Sequence, residues 1–471
     1  MIGQIAKKEI QYNSYSIRLP ALMVISAILF ILNAMLAVTE PVREIPAPRR
    51  STISTSATRK HNSLQFCLRD TGADRTREVR IWIGGNIQPQ ARDQYVRKQL
   101  PVGDYLEGYA LPYFERIDWV FIIRLVFSLF AIIFTFDSVC GEREQGTLSL
   151  MCANSVSRSS ILIGKYLGAC GTLLIPLIVG VTINLLILVS GIAGTVPLQV
   201  EHWLRIGLIF LTSVVYISIF VFLGLLISIA VRRSSSALLI LLAFWVALVT
   251  VHPNLSVVAA KSISRIETRY QLRQQIQAVE MEGRDELRQQ LDSGKIKSQE
   301  EFSRMAEEIL SRKAERINKM ESGHRQALVK RHRLMRRISM ISPASIYQYL
   351  GESIADSGFE RQQRFLMEVG NYYNIYENYV REKVGKVSYT ARMSQWKTRH
   401  TIDGRTVRFR TPVPGEYRGN MDDFPFFSEP EWSIMNSLSI NLSNLAILLL
   451  WNIILFMAAH YAFVNRSLLH L

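Results

Sequence analysis

The sequence predicts a mostly α-helical membrane protein with six transmembrane helices. Apolar residues make up 49% of its 471 residues and charged residues only 20%, and the mean hydropathy is +0.13. Six long stretches contain almost no Asp, Glu, Lys or Arg. Each is long enough for the ~20 apolar residues that cross a bilayer as a helix. This composition excludes a soluble enzyme.

The six apolar stretches can be bounded from the sequence. We predict transmembrane helices at residues 20–38, 118–136, 167–191, 206–230, 236–252 and 441–464. The first stretch follows Lys7, Lys8 and Arg18 and ends without a small-residue cleavage site, which is typical of a retained anchor rather than a cleaved signal peptide. The first helix is therefore expected to remain in the membrane.

The short loops predict the orientation. Segments 1–18, 137–166, 231–235 and 465–471 together carry nine Lys or Arg residues against four Asp or Glu residues. The short loop 192–204, on the other side, has no Lys or Arg. Because basic short loops stay inside the cell, we predict that both termini are cytoplasmic and that the protein lies in the cell inner membrane.

Two long insertions, 39–116 and 253–440, are expected outside the cytoplasm. In the first, a linker rich in Pro, Arg and Ser precedes two alternating runs, Leu64–Leu68 and Val79–Ile83. Such alternation, followed by the turn residues Gly84-Gly85-Asn86, indicates strands. We predict that 39–116 is a small α/β insertion. It separates residues 1–38, which end with the first span, from residues 117–252, which contain spans two to five.

The second insertion, 253–440, is predicted to be a larger helical domain. Apolar residues recur at helical spacing between 255 and 340, and Asp292-Ser293-Gly294 interrupts the pattern, which predicts a helical hairpin. Ser342-Pro343 has the residue types of a helix start.

Further along the same insertion, we expect a third helix at 359–384 and irregular structure over 388–430. Residues 262–430 are expected to be separable from the membrane part, and 441–471 to form the sixth helix and a cytoplasmic tail.

Several classes of function are disfavoured. The net charge of +16 divides into +4 for 39–116, +7 for 253–440 and +5 for the rest, whereas nucleic-acid binding concentrates positive charge on one surface. The four cysteines have neither C-x-x-C spacing nor histidines at zinc spacing, so we predict no metal. Gly164-Lys165 lacks the upstream glycine of a phosphate-binding loop, so the chain is expected to bind no cofactor and hydrolyse no ATP.

The segment after the second predicted helix carries the most specific motif. It reads Glu142-Arg143-Glu144-Gln145-Gly146-Thr147-Leu148, continues as Asn154-Ser155-Val156-Ser157-Arg158, and reaches Gly164-Lys165. This string resembles the signature of type-2 ABC-transporter permeases, an E-R-E-x-G-T-L core followed by an N-x-x-S-R turn and a G-K pair. The run Ile5–Glu9 resembles the elbow helix before their first span. The long insertions resemble a subgroup with enlarged extracytoplasmic domains.

The resemblance implies a function and partners. The chain is expected to be the non-enzymatic permease subunit of an ATP-driven ABC exporter. It would pair with a second permease copy or a related permease on two copies of a separate ABC ATPase, which would bind ATP and Mg. Closure of the ATPase pair would push the coupling element at 142–158, within the cytoplasmic segment 137–166, and move helices one, two and five against their partners.

We assign ATPase coupling to Glu142, Arg143, Glu144, Gly146, Thr147, Leu148 and Arg158. In this interpretation their charges and apolar side chains sit in a groove of the ATPase; the alternative is a charged loop that pairs with lipid headgroups and helix ends. We expect replacement of both Glu142 and Glu144 to leave the fold intact and to weaken ATPase binding.

Inside the predicted spans, Arg124 is a candidate functional residue, because intramembrane charges are costly, although it could also extend outward to the interface. Glycines are expected to allow close helix packing, and asparagines to bond between helices; these are Gly164, Gly168, Gly171, Asn184 and Asn452.

A second class of function stays open. The size of the outer insertions also fits a non-transporting mechanotransmission subunit, in which the helices of 255–384 act on an extracytoplasmic partner in the envelope. The spans contain no nucleophile and base at a recognisable spacing, which disfavours a membrane-embedded hydrolase. Membrane lipid is the other expected contact.

Overall fold

A computed structural model describes most of the predicted helical regions. The described residues are 2–39, 64–69, 78–83, 118–148, 157–190, 200–293, 299–356, 398–402, 405–409 and 433–466, with single positions between 359 and 378. This part of the chain is mostly helical. The predicted helix at 359–384 lies largely outside the described residues.

Six described helices are long and apolar enough to cross a membrane, as predicted. They are TM1 (Arg18–Thr39), TM2 (119–135), TM3 (Arg158–Val189), TM4 (Val200–Ala230), TM5 (Ser234–Ile263) and TM6 (Ile434–Arg466). Four begin or end six or more residues from the predicted limits: TM3 and TM5, and also TM4 and TM6, which begin at Val200 rather than 206 and at Ile434 rather than 441. TM3 starts at Arg158 rather than 167, because the Ser157 hydroxyl caps it by accepting from the Ser160 N–H at 3.2 Å.

TM5 continues to Ile263 rather than ending at 252. The predicted limit is His252, and Pro253 follows it; proline lacks the N–H that a helix interior needs. A π-helical turn, Val246–Val251, lies directly before this proline. Local π-helical adjustment of this kind allows a membrane helix to continue through a proline.

An N-terminal helix, α1 (Ile2–Tyr15), packs along TM3. The contact depends on the predicted glycines: a Cβ at Gly164 would lie 2.7 Å from Cγ2 of Ile5, and one at Gly168 would collide with Glu9. The expected asparagine bonds are also present, because Asn184 donates to the Phe30 carbonyl of TM1 at 2.9 Å and Asn452 donates to the Val215 carbonyl of TM4 at 3.0 Å. Glycines therefore let two helices touch, and amides join the spans.

Two strand pairs are described outside the spans. β1 (Leu64–Arg69) and β2 (Glu78–Ile83) pair antiparallel and coincide with the runs predicted as extended. The described residues between 40 and 117 form these two strands and no helix, so the predicted α/β insertion at 39–116 is not supported. A second antiparallel pair, β3 (Thr398–Ile402) and β4 (Arg405–Phe409), corrects the prediction of irregular structure over 388–430. The missed signal was alternation on both sides of Asp403-Gly404, a dipeptide typical of tight hairpins.

The predicted helical hairpin is confirmed, although it begins after TM5 ends. α3 (Arg269–Asp292) and α4 (Gln299–Ser339) lie antiparallel, and Arg316 and Arg312 of α4 form ion pairs with Glu282 and Glu286 of α3 at 2.8 and 3.2 Å. Val279, Ile309 and Ile317 are buried between the helices. With a rise of about 1.5 Å per residue, α4 is about 60 Å long.

Ser342-Pro343 starts a helix as predicted, but the helix lies inside the membrane bundle. In α5 (Pro343–Ile354), the Ser342 hydroxyl accepts from the N–H groups of Ala344 and Ser345 and donates to the Leu248 carbonyl in the π-helical turn of TM5, at 2.5 Å. Tyr347 is fully buried and stacks on Tyr216 of TM4, with ring centroids 4.5 Å apart.

The position of α5 changes the expected division of the chain. Residues 262–430 were expected to be separable, yet they include Ile346, Tyr347 and Leu350, which belong to the same apolar core as the spans. The helices that project away from the core are α3 and the adjoining part of α4. The limits of a separable outer region are therefore narrower than 262–430.

We predict that Tyr347→Ala lowers the free energy of unfolding by about 3–5 kcal/mol, because it removes a buried aromatic side chain. Tyr347→Phe removes just the 2.8 Å hydroxyl contact with Ser213 and should cost about 1 kcal/mol. The matched control is Tyr270→Ala on the hairpin, where the side chain is 70% exposed, with an expected change of about 0.5 kcal/mol or less. Unfolding in mixed micelles measures all three; equal stability of Tyr347→Ala and Tyr270→Ala would contradict the position of α5.

Candidate functional site

The E-R-E motif forms a short helix, α2 (Cys140–Glu144), which follows TM2 after a four-residue turn. The Ser228 hydroxyl of TM4 accepts from the N–H groups of Val139 and Cys140 at 3.0 and 3.1 Å, so α2 begins on a fixed point of the bundle. Gly146 ends it with a φ of +72°, a left-handed conformation that glycine adopts without steric cost.

Glu142 lies in a buried ion-pair cluster. Its carboxylate is 2.9 Å from the Lys165 ammonium of TM3 and 3.6 Å from the Lys8 ammonium of α1. Lys165 is 1% exposed, and it also donates to the Glu9 carboxylate at 2.6 Å and to the Ser138 carbonyl at 2.8 Å. A buried ammonium needs such partners, because water is excluded from it. The cluster holds α1, α2 and TM3 together.

The two arginines of the motif bind the ends of other spans. The Arg143 guanidinium donates to the carbonyls of Ile229 and Val231, at the C-terminal end of TM4, at 3.3–3.5 Å. The Arg158 guanidinium donates to the Val464 carbonyl near the end of TM6 at 2.9 Å. Cations stabilise helix C-termini, where carbonyl groups lack helical partners. Arg143 and Arg158 therefore fix α2 and TM3 to TM4 and TM6.

Glu144 and Asp137 connect the remaining spans. The Glu144 carboxylate accepts from the N–H and the hydroxyl of Ser234, the first residue of TM5, the former at 3.0 Å. The Arg18 guanidinium at the start of TM1 pairs with both oxygens of Asp137, at 2.7 and 3.1 Å. Segment 137–158 thus contacts, or continues into, every transmembrane helix. We call the described part of this segment and its partners the junction.

Much of the motif points into the protein rather than outward. Thr147 donates to the Glu142 carbonyl at 3.2 Å, and half-buried Leu148 packs against the apolar core. Glu144, Gln145 and Gly146 are exposed at the tip. The expectation that Glu142 and Glu144 can be removed without effect on the fold is therefore revised, because Glu142 neutralises buried Lys165 and Glu144 caps TM5.

Arg124, the intramembrane candidate, is buried and does not extend outward. It lies in a π-helical turn of TM2 (Ile122–Phe127) and is 4% exposed. Its guanidinium donates to the Gln348 side-chain carbonyl of α5 at 2.5 Å, and the Gln348 amide donates to the Glu352 carboxylate at 2.9 Å. Gln348 therefore links an intramembrane cation to an acidic side chain on α5.

The sequence prediction missed several members of the junction. Lys165 was noted as part of a G-K pair but not as the centre of an ion-pair cluster, and Ser228, Ser234 and Asp137 were not singled out. A lysine at the eighth position of an apolar 32-residue helix is a recognisable signal, since such residues are expensive in a membrane and require a partner. The serines carry no comparable signal. Among the described residues, no cluster of His, Cys, Asp and Glu could hold a metal ion.

The fold and the junction define a class of protein: a multi-pass membrane protein whose spans are joined at one end by a charged loop. The family described as ABC-2 family transporter protein matches residues 4–468. The chain belongs to this family of ABC-transporter membrane proteins, which are generally non-enzymatic and associate with an ABC ATPase subunit. No curated protein matches the sequence. The resemblance to ABC permeases is thereby confirmed, and the subgroup with enlarged outer domains stays a prediction.

We predict that Lys165→Met lowers the free energy of unfolding by about 3–5 kcal/mol, because Glu9 and Glu142 are left close together without their shared cation. Lys8→Met, whose parent side chain is 62% exposed, should change it by about 1 kcal/mol or less. Adding Glu9→Gln and Glu142→Gln to Lys165→Met should restore much of the loss. Unfolding in mixed micelles measures the series; wild-type stability of Lys165→Met would refute the buried cluster.

Proposed function

We propose that this protein is the permease subunit of an ATP-driven ABC exporter and that the junction is where a separate ATPase acts on it. The observation that carries this proposal is the set of contacts made by 137–158. An element whose described residues bond to the spans would transmit a displacement to all of them. An ATPase that pushes on its exposed tip would therefore move the whole bundle.

The assembly that we propose follows from this role. Two copies of the permease, or this chain and a related permease, bind two copies of the ATPase, which holds ATP and Mg. The tip at Gln145 and Gly146 faces the cytoplasm with both termini, in the cell inner membrane. The hairpin α3–α4 then lies outside the cytoplasm, because it follows the end of TM5 opposite to Ser234.

The coupling role divides the motif residues into two groups. Gln145 and Gly146 are exposed and would contact the ATPase, together with the half-buried Thr147 and Leu148. Glu142, Arg143, Glu144 and Arg158 would pass the movement inward through the contacts that they make with TM3, TM4, TM5 and TM6. Glu142, Arg143 and Arg158 would thus act mainly as internal connectors, whereas exposed Glu144 would both contact the ATPase and bond to TM5.

We predict that Gln145→Trp leaves the permease folded and reduces ATPase association by about tenfold or more, because a bulky side chain at the tip clashes with a complementary groove. Co-purification of the ATPase with the tagged permease measures association. The matched control, Gln289→Trp, places the same side chain at an exposed position of α3 on the opposite side of the bundle. Full association of Gln145→Trp would remove the tip from the ATPase interface.

The length of the hairpin favours a second candidate function. A 24-residue helix and a 41-residue helix reach far beyond the spans. Ion pairs and a narrow strip of buried apolar residues hold the two helices together. In a mechanotransmission subunit, the ATPase cycle would move this hairpin against a partner in the envelope, without transport of a substrate.

Removal of the distal hairpin separates the two functions. We predict that replacing 279–319 with a short Gly/Ser linker preserves α5, membrane insertion and ATPase binding. The linker suffices because the Glu282–Arg316 and Glu286–Arg312 pairs place residues 278 and 320 side by side. An exporter should retain ATP hydrolysis and its cellular phenotype. Retained hydrolysis with loss of phenotype would favour mechanotransmission, whereas loss of ATPase binding would contradict a separable distal hairpin.

A further inference from the structure

The two halves of α4 differ in charge. Residues 299–321 contain five Lys or Arg and six Asp or Glu, whereas residues 322–341 contain six Lys or Arg and no acidic residue. In the distal half, Arg312 and Arg316 are neutralised by glutamates of α3. The half of α4 nearer to the spans therefore carries a net positive charge and no acidic residue of its own.

Four of these basic residues are exposed on one side of α4: Arg325, Lys330, Arg333 and Arg337. At about 100° per residue they fall within a sector of about 140°. Leu328 and Ser339, outside this sector, are buried. No ion pair joins any of the four to a described acidic residue. We call these four residues the basic stripe.

The end of the basic stripe nearer to α5 lies beside the start of the apolar part of TM6. Arg336, next to Arg337, donates to the Asn441 side chain at 2.9 Å, and Asn441 is the first residue of the apolar window of TM6. Ile341, just after the stripe, is 61% exposed, as expected of a side chain that faces lipid. Exposed apolar sequence thus gives way to exposed basic sequence at this level, which is the arrangement of a headgroup boundary.

We propose that the basic stripe binds the headgroups of anionic phospholipids in the leaflet on the hairpin side of the membrane. Lys330, Arg333 and Arg337 lie within about 11 Å along the helix axis, and their long side chains reach the headgroup layer while the helix remains above it. A cluster of basic residues beside a membrane helix attracts anionic lipid within a Debye length. Because α4 ends at Ser339 and α5 begins at Pro343, lipid bound to the stripe would also stabilise the position at which α5 enters the bundle.

The test uses the full-length protein in a neutral detergent with an equimolar mixture of phosphatidylglycerol and phosphatidylcholine. Native mass spectrometry counts the lipids that stay bound. We expect the wild type to retain phosphatidylglycerol in preference, and R325Q/K330Q/R333Q/R337Q to lower the ratio of the two lipids by about fivefold or more. The matched control R284Q/R288Q/R304Q/K319Q removes the same charge from exposed distal positions and should keep the wild-type ratio.

A charge-preserving variant tests whether charge is the cause. R325K/R333K/R337K should retain the preference, and 1 M salt should abolish it in the wild type because the headgroup contact is screened. The proposal is overturned if the wild type shows no preference for phosphatidylglycerol, which would leave an acidic protein as the partner of the stripe. An unchanged ratio in the glutamine variant, or an equal loss in the distal control, also overturns it.

Discussion

The ion pair between Glu142 and Lys165 is the contact on which the rest of the junction depends. Lys165 is 1% exposed and lies within an apolar helix. Its buried charge would destabilise the fold unless acidic groups lay close to it. Glu9 can approach because Gly164 and Gly168 let α1 touch TM3. Helix packing and electrostatics therefore require each other: without the glycines the carboxylate is too far away, and without the carboxylates the lysine is an unpaired buried charge.

The other charges of the junction act at helix ends. Arg143 and Arg158 donate to carbonyls at the C-terminal ends of TM4 and TM6, and Glu144 accepts from the first residue of TM5. Helix termini leave backbone groups unpaired, and charged side chains of the right sign can satisfy them. A short loop that supplies both signs of charge satisfies three helix ends at once. Through the same contacts, a displacement of the loop would move these helices.

The opposite end of the bundle is organised differently. There α5 enters the core between the spans, and two of its hydrogen bonds involve π-helical turns: Ser342 bonds to the Leu248 carbonyl in TM5, and Gln348 to Arg124 in TM2. Other bonds join α5 to TM4 and TM6, among them Tyr347–Ser213 and Asn441–Ser353. π-helical turns free carbonyls from regular pairing, and they occur frequently at functional sites. The junction is thus held by ion pairs, whereas the α5 end is held by aromatic stacking and by hydrogen bonds, two of them donated by Arg124 and Arg205.

The sequence by itself determined the number of spans, the helical hairpin and the position of the motif. Apolar length, helical spacing and the E-R-E-x-G-T-L string are local properties that do not depend on neighbours. Tertiary structure decided which partner each charge has and where α5 lies. Pro343–Ile354 has 12 residues, too few to cross a bilayer, and it contains Gln348 and Glu352, so its pattern fits an outer helix equally well. Its burial depends on Tyr216 and Arg124, which lie far away in the chain, and no local pattern records that pairing.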